Sequence, residues 1–94
     1  MEMDNYREKL KIELKKMIIE VLSLEDITVD QIKDDEPLFI EGLGLDSIDA
    51  LELVVAIDKR YKVKVDTEEK GRSILKNINS LTDYLLSQGV IPAT

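Results

Sequence analysis

Ser47 is the residue whose type and setting could carry chemistry, in the run Gly42-Leu43-Gly44-Leu45-Asp46-Ser47-Ile48-Asp49-Ala50-Leu51-Glu52-Leu53. Two glycines break regular structure, Asp46 is a preferred N-cap type, and an uninterrupted helix-forming run follows with carboxylates in its first turns. The pattern predicts a helix over 46–61 with Ser47 at its N-terminus. The unpaired N–H groups and positive partial charge of that end would hold, not repel, a phosphate esterified to the serine. The chain contains no histidine and no cysteine. Disulfides, Cys/His zinc sites and Ser-His or Cys-His nucleophiles are therefore excluded within it, and any thiol it uses must come from outside. No catalytic residue is assigned. Asp34, Asp35, Glu36 and Glu41 invite a calcium reading but do not meet the EF-hand pattern, so no metal ligands are assigned and these acids read as a solvated loop.

The helix that begins at Ser47 has more apolar surface than one core face requires. Ala50, Leu53, Val54, Ile57 and Tyr61 follow the spacing of a buried stripe. Ile48, Leu51 and Val55 fall on another side, bordered by Asp49, Glu52 and Asp58. A helix apolar on two sides is either sandwiched in a core or keeps one side for a partner.

Leu45-Asp46-Ser47-Ile48-Asp49-Ala50-Leu51-Glu52-Leu53 resembles the modification-site signature of acyl carrier proteins. A bare Asp-Ser-hydrophobic triplet would be weak, but the Gly-Leu-Gly-Leu-Asp-Ser-Ile-Asp run in a small acidic chain is specific. The resemblance spans roughly residues 3 to 88. It implies that Ser47 receives 4′-phosphopantetheine from coenzyme A through a phosphopantetheinyl transferase, with Asp46 presenting the serine. The arm's thiol would hold acyl groups as thioesters for fatty-acid or related acyl or polyketide synthesis. Ile48, Asp49, Leu51, Glu52, Val55 and Asp58 would meet acyl-transferring and acyl-modifying enzymes with basic docking surfaces. The protein would be a carrier and not an enzyme. An unmodified interaction module of the same fold, or a D-alanyl or peptidyl carrier, are the alternatives.

The fold expected is all-α: a four-helix bundle of acyl-carrier type forming a single domain over 1–94, with a short third helix and a long loop between the first two. Tyr6, Leu10, Leu14, Met17, Ile18, Val21 and Leu22 mark a first helix over about 3–23. Residues 24–45 read as a long connection, with a short helical turn near Asp30-Gln31-Ile32 and enough apolar groups to lie against the bundle. Lys62-Val63-Lys64-Val65 alternates as an extended segment, and a short helix follows over 66–76. Ser80-Leu81-Thr82-Asp83 has capping-box spacing and predicts a last helix over 80–88, with Leu81, Tyr84, Leu85 and Val90 toward the core and Gly89 and Pro92 ending it.

The net charge of −7 is unevenly spread: residues 25–58 hold eleven acids against Lys33 alone, whereas residues 59–94 hold seven basic residues and four acids. Such a field steers basic partner surfaces and disfavours nucleic acid. The helix beginning at Ser47 nonetheless ends in Lys59-Arg60-Tyr61-Lys62-Val63-Lys64, unlike the acidic continuation usual in fatty-acid carriers, which points to a specialised carrier. No apolar run exceeds the five residues Leu53 to Ile57, so no membrane span is expected, and the N-terminus lacks the pattern of a signal peptide. A cytoplasmic monomer is the expectation.

Overall fold

The structure, a computed structural model, describes residues 2–38, 47–65, 71 and 73–92. Among the described residues, α-helices run in the order α1 (Glu2–Val21), α2 (Ser47–Tyr61) and α3 (Ile78–Ser87), with a 3-10 turn at Val29–Gln31 between the first two. Among the described residues there is no strand. The expected short helix over 66–76 falls largely on residues 66–70 and Arg72, which lie outside the described residues. Its described end is helical in bonding, since the Leu75 N–H donates to the Gly71 carbonyl at 2.9 Å.

Helix α1 is the element on which the others are laid, packing against both α2 and α3. Its Leu10, Leu14, Met17 and Ile18 recur at helical spacing and are fully buried. Tyr6, expected on this stripe, lies at its edge and is exposed. The helix ends at Val21, before the expected residue 23, because Ser23 turns left-handed at φ 53°. The Leu24 N–H then reaches the Ile19 carbonyl at 2.9 Å, which satisfies a carbonyl that the helix end would otherwise leave without a donor.

Facing α1, Leu53 and Ile57 of α2 and Ile78, Leu81 and Leu85 of α3 complete the core with Ile32, Leu38, Val63, Ile74 and Leu75 from the connections. Helix α3 starts two residues before the expected Ser80. Asn77 is the cap: its Oδ1 accepts from the Ser80 N–H at 2.8 Å while Ser80 Oγ accepts from the Asn77 N–H at 3.1 Å. Asparagine caps at least as well as serine, and the earlier start carries Ile78 into the core. At the other end Gly89, at φ 84°, lets the Val90 N–H bond the Leu85 carbonyl at 3.0 Å. Among the described residues no helix is long and apolar enough to cross a membrane.

Candidate functional site

Ser47 is the first residue of α2, which runs fifteen residues to Tyr61. Asp46, expected as its cap, and Gly42 and Gly44 before it lie outside the described residues. Helix α2 is amphipathic twice over. Leu53 and Ile57 are 0% exposed, with Ala50, Val54 and Tyr61 partly buried against the same core. On the other side Ile48, Leu51 and Val55 are 68%, 65% and 45% exposed. These side chains have the size and type of core residues and lie on the surface, in one stripe that begins beside Ser47. Glu52 on the same side is exposed, and Asp49 and Asp58 are half-buried. The six residues expected to border and form a contact face are therefore all on α2, and its three apolar members lie together on the outside.

The far end of α2 is tied to α1. The Tyr61 hydroxyl donates to Glu13 Oε1 at 2.8 Å, and Arg60 Nη2 donates to Glu20 Oε1 at 3.0 Å. Burial, and then the Glu13 carboxylate, push the Tyr61 phenol well above its ordinary range, so it stays a neutral donor. The helix stops where Lys62 turns left-handed at φ 59°, with its N–H still bonded to the Asp58 carbonyl at 3.0 Å. Beyond it Val63 is buried while Lys62 and Lys64 are exposed, the alternation expected of an extended segment.

The connection that leads toward Ser47 lies against the bundle over its described length. Ile32 and Leu38 are buried, the Leu38 N–H donates to the Lys76 carbonyl at 3.0 Å, and the Asn79 N–H donates to the Asp34 carbonyl at 3.0 Å. Phe39, Ile40 and Leu43, also expected to pack, lie outside the described residues.

Asp34 is not the solvated acid expected of this loop. Its Oδ1 meets Lys15 Nζ at 2.6 Å and its Oδ2 meets Lys11 Nζ at 3.1 Å. The hydrogen bond from Lys15 holds its carboxyl below the ordinary aspartate value despite the opposing effect of burial. Lys11 and Lys15, four residues apart on α1, lay their stems along the core edge and turn their heads to the loop. Sequence reading missed this clamp and the Asn77 cap. The signal for the cap was present as an asparagine three residues before a serine. The lysines carried none, because a basic residue on a helix usually marks a solvated face.

Among the described residues, no three acidic side chains converge in a way that could hold a metal ion. Ser47 starts a helix whose inner side is anchored in the core and whose outer side is apolar and acid-bordered. A family model described as the phosphopantetheine attachment site matches residues 13–85, a stretch that holds all of α2, the later part of α1 from residue 13 and most of α3. The chain therefore belongs to this family, whose domains bear covalent 4′-phosphopantetheine and serve as carriers, not catalysts.

Proposed function

We propose that the protein is an acyl carrier whose 4′-phosphopantetheine is joined to Ser47, and that partner enzymes read it through the outer face of α2. The observation that carries this reading is the coincidence of the two features: Ser47 opens α2, and the exposed stripe Ile48, Leu51 and Val55 starts at the next residue. A phosphodiester on Ser47 fits this position. The first turn of a helix has N–H groups with no carbonyl partner inside the helix and the positive end of its dipole, so the diester's negative charge is stabilised there. Asp46, immediately before the helix, fits a capping role.

The thiol of the bound arm would supply the acyl-holding chemistry that a chain without cysteine lacks. What the chain itself supplies is position and identity. Leu53 and Ile57 fix the rotation of α2 about its axis, so that Ile48, Leu51 and Val55 face outward next to the attachment point. Asp49, Glu52 and Asp58 add a carboxylate border suited to basic docking surfaces, including that of the transferase that modifies Ser47. We read the segment 66–76 as a short further helix, a reading that the Leu75–Gly71 helical bond supports. We read the cargo as an acyl, hydroxyacyl or polyketide chain.

The test is intact mass after incubation of the 94-residue chain with coenzyme A and a broad-specificity phosphopantetheinyl transferase, alongside Ser47→Ala. Gain of one phosphopantetheine by the wild type and none by the variant is the expected result. Equal gain by both would move the attachment to another residue. No gain by either, with binding to partner enzymes retained by Ser47→Ala, would leave an unmodified interaction module of the same fold.

A further inference from the structure

The outer face of α2 changes sign along its length. Ile48, Glu52, Val55 and Lys59 follow the spacing i, i+4, i+7, i+11 that keeps residues on one line of a helix, and all four are exposed. Asp49 and Glu52 lie in the half nearer Ser47. Past Asp58 the charge is Lys59, Arg60, Lys62 and Lys64. Of these, Arg60 is spent on Glu20. Lys59, Lys62 and Lys64 are exposed and pair with no acid among the described residues. At 1.5 Å rise per residue, Lys59 lies about 16 Å from Ile48 and about 10 Å from Glu52 along the helix, farther than a Debye length at physiological salt. The two ends therefore act on a docked surface as separate charges.

We propose that the protein surface that docks on α2 is bipolar. It has basic groups beside the Ser47 end and a carboxylate pair about 16 Å farther along, received by Lys59 and Lys62. This rests on α2 being the docking helix. A uniformly basic surface would meet the Lys59–Lys64 end with like charges, which costs affinity and selects against it. An anionic membrane or nucleic acid would meet the same lysines favourably but would oppose Asp49, Glu52 and Asp58, in a chain whose net charge is −7. Charge complementarity along the whole face therefore favours a protein partner of mixed sign.

The experiment uses stapled amphipathic peptide helices with one leucine stripe in common, carrying arginines at both ends, glutamates at both ends, or arginines at one and glutamates at the other. Binding to the isotope-labelled 94-residue chain is followed by amide shifts at physiological salt. The split-charge peptide is expected to bind about fivefold more tightly than the all-arginine one, the size expected of two exposed pairs. Lys59→Glu with Lys62→Glu should invert that order. Lys33→Glu with Lys76→Glu, which changes the net charge equally at exposed positions off α2, should not. An all-arginine peptide bound at least as well by the wild type would overturn the proposal, and so would inversion by both double variants. Binding to phosphatidylserine vesicles that is lost only in the Lys59/Lys62 variant would overturn it in favour of a membrane. The mass measurement at Ser47 is independent: modification without the peptide preference removes this inference alone, and preference without modification removes only the carrier reading.

Discussion

Asp34 shows how much one residue can hold in a chain this small. It joins Lys11 and Lys15 of α1 through its carboxylate and the start of α3 through its carbonyl. Because the folded-state pKa is lowered, chiefly by the bond from Lys15, the carboxylate contributes stability that is present above the unfolded value and lost as pH falls through the folded one. Asp34→Asn is therefore expected to cost about 1 to 2 kcal/mol near neutral pH, a modest figure because the side chain is about one-third exposed. The deficit should shrink as pH falls below the unfolded aspartate value of roughly 4 and vanish once it is below the lowered folded-state value, where both proteins are neutral at this position. Urea unfolding across that range measures it. A deficit of constant size at every pH would show that the substitution acts through packing or the backbone and not through charge.

At the scale of the element, α2 separates stability from recognition by face. Leu53 is fully buried and Leu51, two residues earlier, is two-thirds exposed, so the same substitution at the two sites should have unlike effects. Leu53→Ala is expected to destabilise the fold by about 2 to 5 kcal/mol through lost burial and the cavity left behind. Leu51→Ala should stay within about 0.5 kcal/mol of the wild type, as surface changes do, and yet weaken binding to a partner enzyme. Thermal unfolding and a binding titration on both variants check this. A large stability loss for Leu51→Ala would mean that the stripe is structural, and the docking reading would fall with it. The sequence was informative here because helical periodicity reports both stripes directly. It said less about where α1 and α3 end or begin. Those limits depend on the left-handed turn at Ser23 and on Asn77 winning the cap over Ser80, choices between residues of similar propensity that the burial of Ile78 helps decide.

For the whole molecule, the three described helices and the family were legible because each is carried by a local pattern. The ties between distant segments were not, since nothing local in Asp34 or Leu38 names its partner. Those ties make the structure cooperative: Leu38 and Asn79 donate their amides across the boundary between the long connection and the segment leading into α3, in opposite senses, while Lys11 and Lys15 fasten the same connection to α1. If the connection leading toward Ser47 opened by itself, both amide bonds would break without disturbing the α1 core. If it is part of one unit, the Leu38 and Asn79 amides can exchange with solvent only when that core opens. The second outcome is expected, because Ile32 and Leu38 of this connection are themselves buried in the core. Native-state hydrogen exchange should therefore give Leu38 and Asn79 opening free energies within about 1 kcal/mol of those of Leu14 and Met17 in α1, and Asp34→Asn should lower all four together. Leu38 exchanging freely beside a protected α1 would instead make the connection an independently mobile arm. The presentation proposed for Ser47 would then rest on α2 alone.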